Sequence, residues 1–175
     1  AEQSERWPGL IPPPRTIQMV RAQAAPVLAP TWAEMDACIG SLDGWQRKLA
    51  AVLRYTGLRV GETMQLEWTD VNLDTARLVI DRNIDKSKRG RIIPISAHLV
   101  AELATWGVRT GWLIPYDGRQ VRHRAALAKY FNSAWELAGV RPEAWRGHST
   151  KAFRKGWKSG MLNLRAMPDA VDFLQ

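Results

Sequence analysis

Apolar residues recur at helical spacing along most of the 175-residue chain. Thr31 and Glu34 form a capping-box pattern that predicts the start of a short helix, and the apolar run 45–55 predicts a second helix. Gly57 follows that run as a C-terminal stop should, so Arg59 is expected at the start of a new helix. Further helices are predicted from Ser96 through Trp106, over residues 121–138, from Ser149 or Thr150 to about Leu162, and from Pro168 onward.

One pair of segments typical of β-strands interrupts the helices. Residues 76–81 and 91–95 are predicted to form two antiparallel strands, and the stretch 85–90 between them is predicted to be a basic hairpin tip. The segments 70–74 and 107–118 are typical of turns and loops. The chain is therefore predicted to be mainly α-helical with a small antiparallel β-sheet, an α+β fold.

The N-terminal part differs in composition from the rest. Residues 1–30 hold six of the ten prolines, which predicts an extended arm or interdomain linker. A linker at this place leads us to expect a further domain before it in the natural protein. Residues 31–175 are expected to form one domain, because their length is enough for a single core.

The charge of the chain points to a polyanionic partner. A formal net charge of +8 and a pI near 10.1 favour nucleic acid first and an acidic membrane second. The membrane alternative is set aside because no apolar run approaches the roughly 18 residues of a transmembrane helix, and no basic amphipathic helix has one clean apolar face. Cys38 is the sole cysteine, which excludes an internal disulfide or a cysteine-based zinc site and fits a reducing compartment.

Three basic sites stand out in the sequence. The first is Arg59, which has Glu62 one helical turn away. An arginine at a helix start is well placed to hold an anion, although a surface ion pair worth roughly a few tenths of a kcal/mol is the plainer alternative. The second site is the hairpin tip, whose basic residues are Lys86, Lys88, Arg89 and Arg91.

The third basic site is the helix predicted after residue 148. Lys151 and Arg154 are three positions apart and are expected to share one face, while Lys155 and Lys158 are expected to share another. These charges are the candidates for contact with a phosphate.

This helix lies in a wider basic stretch. Residues 119–165 hold eleven Lys or Arg, Arg122 and Arg124 among them, and only two acids. A solvated helix face is the alternative explanation for such a run. Phe153 and Trp157, however, give the helix a buried side that fixes where its charges point.

Three of these segments resemble the motifs of one family. Residues 56–62 (TGLRVGE) and 66–71 (LEWTDV) look like the first arginine box of the tyrosine recombinase (phage integrase) family. Residues 86–94 (KSKRGRIIP) are similar to that family's β-hairpin lysine segment, and residues 151–154 (KAFR) lie where its second box, His-x-x-Arg or Lys-x-x-Arg, is expected. The segments come in the family's order, and the resemblance covers residues 31–175.

The resemblance implies site-specific DNA strand breakage and rejoining through a 3′-phosphotyrosine. Arg59 and Arg154 would grip one phosphate from two sides, so their guanidinium groups must meet in space. Lys86 would be the general acid for the leaving 5′ oxygen. Lys151 would assist at the phosphate, with His148 as a rival for that position.

The resemblance also has implications for the supporting residues, the cofactors and the partner of the reaction. Glu62 would orient Arg59, and no metal or nucleotide cofactor is expected. The partner would be double-stranded DNA, bound by a self-associated tetramer. The protein would be of bacterial or phage origin, and it would lie in the cytoplasm in association with the nucleoid. The side chains expected to contact DNA are Lys88, Arg89, Arg91, Arg122, Arg124, Lys155 and Lys158.

One departure from the family pattern concerns the nucleophile. The family carries its tyrosine beyond the second arginine, whereas Tyr55, Tyr116 and Tyr130 all precede Arg154 and the sequence ends at Gln175. The chain is therefore expected to be a catalytic domain truncated at its C-terminus, which binds DNA without cutting it. The alternative is a non-catalytic, basic helical DNA-binding module; an RNA-binding protein is disfavoured because no aromatic-rich sheet motif is found.

Overall fold

The computed structural model describes residues 28–116, 119–120 and 124–164. Of the arm predicted for residues 1–30, only the last three residues belong to this part of the chain. The helix predicted from Pro168 lies outside the described residues. The division into an arm and a catalytic domain stays a prediction.

Seven α-helices, one 3₁₀ turn (Trp68–Asp70) and two small antiparallel sheets make up the described part of the chain. The helices are α1 (Trp32–Gly40), α2 (Gly44–Thr56), α3 (Val60–Thr63), α4 (Ala97–Ala104), α5 (Arg124–Leu137), α6 (Pro142–Trp145) and α7 (Ser149–Asn163). The strands are β1 (Val71–Asn72), β2 (Arg77–Ile80), β3 (Arg91–Pro94), β4 (Pro115–Tyr116) and β5 (Arg119–Gln120). The prediction of a mainly helical α+β fold is confirmed. None of the helices within the described ranges is long and apolar enough to cross a bilayer.

Local sequence signals set the helix boundaries. The Thr31 hydroxyl accepts from the Glu34 backbone N–H at 3.2 Å, and the Glu34 carboxylate accepts from the Thr31 backbone N–H at 2.7 Å, so the predicted capping box opens α1. At the start of α4, the Ser96 hydroxyl accepts from the backbone N–H of Leu99 at 3.3 Å. Gly57, with a φ of 64°, ends α2 as predicted.

Strands β1, β2 and β3 form one antiparallel sheet in that order. Leu78 of β2 lies opposite Val71 of β1 and opposite Ile93 of β3. Strand β1 lies within residues 70–74, where only a turn is predicted, and the β4–β5 hairpin begins within residues 107–118, where only a loop is predicted. Both predictions are wrong at these points because a two-residue strand is too short to show an alternating pattern.

The hydrophobic core extends from α1, α2, α5 and α7 to α4 and to strands β2 and β3. Met35, Leu53, Phe131, Trp135 and Phe153 are all 0% exposed. The ring of Phe153 lies 5.9 Å from that of Phe131 and 4.7 Å from that of Trp135, measured between centroids. These contacts attach the apolar side of α7 to α5 and so determine the direction in which the charged side of α7 points.

Helix α6, a single turn, is a feature that the sequence pattern does not predict. Pro142 is its first residue, a position that proline favours. The indole N–H of Trp145 donates to the carbonyl oxygen of Val140 at 3.1 Å, and that of Trp135 donates to the carbonyl oxygen of Ser149 at 2.9 Å. Both buried indole N–H groups therefore have a hydrogen-bond acceptor, and the two bonds fix the segment that connects α5 with α7.

Three glycines, Gly57, Gly156 and Gly160, allow α7 to approach its neighbours closely. A Cβ atom on Gly57 would lie 2.6 Å from the ring of Trp157 in α7, and a Cβ atom on Gly156 would lie 2.6 Å from the carbonyl oxygen of Pro30. Real Cβ atoms do not come so close to other atoms without a shift of the structure. The first contact positions the functional site, because it holds the end of α2 against α7.

Candidate functional site

A cleft of about 690 Å³ opens where the start of α3, the loop between β2 and β3, and α7 meet. Arg59, Lys86, Lys151 and Arg154, to which the family resemblance assigns chemistry, all line this cleft. The structure thus brings together residues from three separate stretches of sequence. Their individual roles stay predictions.

Arg59 enters the cleft from the start of α3. Gly57 ends α2, and Arg59 is the N-cap residue of α3 two positions later. Its Nη1 donates to Glu62 Oε1 at 3.0 Å, and its backbone N–H donates to Glu62 Oε2 at 3.1 Å. The Glu62 side chain is only 3% exposed, whereas that of Arg59 is 41% exposed, so a buried carboxylate orients a guanidinium that solvent and a ligand can reach.

Arg154 reaches the same cleft from α7. Its Nη1 donates to the carbonyl oxygen of Gly57 at 3.1 Å. This bond ties α7 to the turn that precedes Arg59. The turn at Gly57 therefore positions both Arg59 and Arg154.

Four cations of α7 form one stripe along the cleft. Lys151, Arg154, Lys155 and Lys158 are spaced i, i+3, i+4 and i+7, and all four line the cleft. The prediction that Lys155 and Lys158 occupy a different face from Lys151 and Arg154 is wrong. The buried residues Ala152, Phe153, Gly156, Trp157 and Gly160 occupy the other side of the helix.

Lys86 lies on the loop between β2 and β3, next to a buried acid. Asp85, 1% exposed, accepts from the hydroxyl of Ser87 at 2.6 Å, from the backbone N–H of Ser87 at 3.0 Å and from the backbone N–H of Gly90 at 3.1 Å. These hydrogen bonds, together with the charge of Arg91, hold the pKa of Asp85 well below its usual range, although burial opposes them. The carboxylate is therefore ionised, and the backbone on either side of Lys86 is tied to it.

Arg91 does not occupy the exposed position that a DNA contact requires. Its side chain is 7% exposed; Nη2 donates to Glu62 Oε2 at 2.9 Å and Nη1 donates to Asp85 Oδ1 at 2.7 Å. The prediction of a DNA contact through Arg91 is therefore corrected, because its guanidinium links two buried carboxylates inside the domain. Strand alternation carries the missed signal, since Arg91 shares its face of β3 with the core residue Ile93.

The remaining predicted DNA contacts have different surroundings. Lys88 and Arg89 are exposed on the hairpin loop but are not among the described residues that line the cleft. Arg122 lies outside the described residues, and so does the side chain of Arg124. His148, the rival for the Lys151 position, is exposed at the start of α7 and is not part of the described lining.

The described lining of the cleft is strongly positive. It contains six Lys or Arg side chains and a single acid, Glu62, whose two oxygens are both engaged by arginine. Tyr55, Tyr116 and Tyr130 are not among the described lining residues. Tyr55 stacks on His98 instead. Among the described residues, no three His, Cys, Asp or Glu side chains come together as a metal site would require.

Two groups with a structural part in the site were not predicted. The Gly57 carbonyl holds Arg154, and no side-chain pattern can reveal a backbone acceptor. Asp85 is an acid inside a basic segment, followed two positions later by Ser87. That spacing is typical of an Asx turn, and it is the signal that could have identified Asp85 as a loop anchor.

The structure is an α+β domain with a cleft that is lined by two arginines and four lysines. Residues 33–174 match the sequence model of the phage integrase family, and the chain belongs to that family. A stretch of 71 residues is 32% identical to "Tyrosine recombinase XerC" of Xanthomonas axonopodis pv. citri (strain 306), covering 41% of this chain and 21% of that protein. XerC of Xanthomonas campestris pv. campestris (strain B100) matches at the same identity over 20% of its length.

Solved structures of low sequence identity share the fold. XerA recombinase superposes with a TM-score of 0.69 at 18% identity, over 88% of this chain and 56% of that chain. The integrase from mycobacterium phage Brujita gives a TM-score of 0.67 at 20% identity, over 88% of this chain and 50% of that chain. The match to the two XerC proteins spans about a fifth of their length. The resemblance to a tyrosine recombinase catalytic domain is confirmed in family and in fold.

Proposed function

We propose that this chain supplies the arginines and lysines of a site-specific recombinase, which breaks and rejoins duplex DNA through a 3′-phosphotyrosine intermediate. The observation that supports the proposal is the meeting of Arg59, Lys86, Lys151 and Arg154 in one cleft. Cations repel one another when they are placed together. A fold that gathers six of them around one cavity therefore fits a polyanionic ligand better than an empty surface.

The proposed chemistry uses the two arginines as fixed cations. When a tyrosine oxygen attacks the phosphorus, negative charge builds up on the non-bridging oxygens of a five-coordinate transition state. The planar guanidinium groups of Arg59 and Arg154 can each donate two parallel hydrogen bonds to such oxygens. Their orientation by Glu62 and by the Gly57 carbonyl is set before the reaction begins, which is the arrangement that stabilises developing charge most effectively.

Two lysines complete the proposed reaction. The bond between phosphorus and the 5′ oxygen breaks as the bond to tyrosine forms, and the leaving oxygen takes a proton. Lys86, exposed on its loop, is the proposed donor of that proton. Lys151 is proposed to contact the scissile phosphate. No metal or nucleotide cofactor enters this scheme, because the guanidinium groups supply the positive charge and the phosphotyrosine keeps the energy of the broken bond.

The nucleophile is proposed to be a tyrosine other than Tyr55, Tyr116 and Tyr130, since none of these three is among the described lining residues. The proposed partner is double-stranded DNA, gripped in the cleft and by the exposed Lys88 and Arg89 of the hairpin loop. A tetramer on DNA, in the nucleoid of a bacterial cell, is the proposed assembly.

Covalent attachment is the decisive measurement for this function. The protein in its natural full-length form is incubated with nicked duplexes of randomised sequence, and denaturant-resistant complexes are recovered to identify the preferred site. On that site, Arg59→Ala and Arg154→Ala should each lower covalent complex formation by about 10²–10³-fold. DNA affinity should fall much less, because the arginines act on charge that develops in the transition state.

A matched control separates chemistry from a general loss of charge. Arg77 is an exposed arginine on β2 that is not among the described residues of the cleft, so Arg77→Ala should leave attachment unchanged. If the protein binds duplex DNA but never forms a covalent complex, the non-catalytic DNA-binding alternative replaces the recombinase proposal.

A further inference from the structure

A chain of ion pairs between alternating basic and acidic side chains, buried except at Arg59, connects the start of α3 with the loop between β2 and β3. It runs from Arg59 to Glu62, from Glu62 to Arg91, and from Arg91 to Asp85, with distances of 3.0, 2.9 and 2.7 Å between the charged atoms. The side chains of Glu62, Arg91 and Asp85 are 2–7% exposed. Such a chain is little screened by solvent, so its geometry is well defined.

The far end of this chain is attached to the loop that carries Lys86. Asp85 is the neighbour of Lys86 in sequence, and its carboxylate also binds the backbone N–H groups of Ser87 and Gly90. The loop between β2 and β3 is otherwise exposed at Lys86 and Ser87. The Asp85 carboxylate, together with the backbone hydrogen bonds from Asp85 to Asp81 and from Lys88 to Asp85, therefore restricts the position of the Lys86 backbone.

Arg91 is the link that has contacts on both sides. One terminal nitrogen binds the carboxylate that orients Arg59, and the other binds the carboxylate that anchors the Lys86 loop. A planar guanidinium holds its two terminal nitrogens at a fixed separation. The distance between Glu62 and Asp85 is thus determined by one rigid group.

We propose that Arg91 is a positioning residue, which sets the place of Lys86 relative to Arg59 by bridging Asp85 and Glu62. This inference rests on the proposed function, because it assigns to Arg91 an effect on the proton donor of that reaction. Arg91 does not touch the DNA. It acts through Asp85, so loss of the bridge should impair proton donation more than the binding of duplex DNA.

The test compares two leaving groups in the natural full-length protein. One substrate carries the normal 5′ oxygen at the scissile phosphate, and the other carries sulfur in its place. A thiol has a pKa of about 8.5, far below that of an alcohol, so the sulfur leaves without a proton donor. Single-turnover rates of covalent attachment are measured for Arg91→Gln, Arg91→Lys and Asp85→Asn, with Lys86→Ala and Arg59→Ala as references and Arg77→Gln as the matched control.

The proposal predicts a distinct pattern of rates. Arg91→Gln and Asp85→Asn should slow attachment to the oxygen substrate by about 10²-fold, as expected when a catalytic group is displaced by about 1 Å. Both should recover most of this loss on the sulfur substrate, as Lys86→Ala should, whereas Arg59→Ala should remain slow on both. Combining Arg91→Gln with Lys86→Ala should slow the oxygen substrate no further than Lys86→Ala alone.

Other outcomes overturn the inference without ambiguity. Normal rates for Asp85→Asn and Arg91→Lys on the oxygen substrate would remove the positioning role, even if Arg91→Gln failed to fold. Equal losses on both substrates would mean that Arg91 supports the fold or Arg59 alone. Normal rates for Arg59→Ala and Lys86→Ala would instead reject the proposed function itself.

Discussion

Arg154 Nη1 donates to the carbonyl oxygen of Gly57 at 3.1 Å, across 97 positions of sequence. Gly57 is also the residue whose missing Cβ leaves room for the ring of Trp157, three positions after Arg154. One residue therefore ends a helix, admits an aromatic ring and holds an arginine. The meeting of Arg59 and Arg154 therefore depends on the backbone of this residue.

Replacement of Gly57 is the first prediction. Gly57→Ala should lower the free energy of unfolding by about 2–4 kcal/mol, because a left-handed backbone costs a side-chain-bearing residue about 1–2 kcal/mol and the clash with Trp157 adds a similar amount. Urea unfolding measures the change. Gly139→Ala is the matched control, since Gly139 has a φ of 69° but open space around it; an equal loss for both variants would show that the Trp157 contact contributes nothing.

The basic stripe of α7 gives the second prediction. Lys155→Ala and Lys158→Ala should each weaken binding to duplex DNA and reduce the slope of log affinity against log salt by about 0.9, the value for one phosphate contact. Fluorescence anisotropy at several salt concentrations measures both quantities. Lys129→Ala removes an exposed lysine of α5 outside the described lining and should leave the slope unchanged. Equal slopes for all three variants would mean that DNA does not bind along the basic stripe of α7.

Acid stability gives the third prediction. Since the pKa of Asp85 is lowered in the folded state, its ionised form contributes stability above the unfolded pKa of about 3.9, and that contribution is lost as pH falls towards the folded pKa. Asp85→Asn should cost on the order of 3 kcal/mol at pH 7, because it breaks a buried ion pair. The difference from the original protein should shrink as pH falls below about 4.

Urea unfolding from pH 3 to pH 7 measures this difference. Asp74→Asn, which changes an exposed carboxyl in the turn before β2, serves as the control and should give a small, constant effect. A difference for Asp85→Asn that does not vary with pH would show that the residue acts through packing rather than through its charge.

The single cysteine gives the fourth prediction. Cys38 is 0% exposed, and burial raises the pKa of its thiol to about 12. At pH 8 it should react with a disulfide reagent only when the core opens, because the thiolate is the reactive form. The rate should therefore rise with denaturant in parallel with unfolding. Cys38→Ser combined with Val108→Cys, at a site that is 81% exposed, should react at once.

The sequence predicts those parts of the site whose signals are local. Gly57 as a helix stop and Arg59 as the start of the next helix follow from cap chemistry, which acts over a few residues. The hairpin around Lys86 follows from two strand-like segments. Each of these features is visible without knowledge of the tertiary contacts.

The parts that the sequence pattern misses depend on packing. Arg91 looks like one more charge of the hairpin tip, and only the inward face of β3 and the carboxylates that meet it there make it internal. Lys155 and Lys158 are a different case, because the i, i+3, i+4 and i+7 spacing of the four α7 cations is itself the sequence signal of one stripe. What the spacing does not give is the element that this stripe faces, and the structure shows it along the cleft.

Because of the stripe of like charges on α7, the thermal stability of the protein should depend on whether an anionic ligand is bound. Cations at i, i+3, i+4 and i+7 raise the free energy of the helix slightly at each pair, and an anion held among them removes that repulsion only in the folded protein. A ligand at a concentration one hundred times its dissociation constant adds about 2.7 kcal/mol to the stability of the state that binds it. The melting temperature should therefore rise as short duplex DNA is added at low salt, and the increase should disappear as salt displaces the DNA.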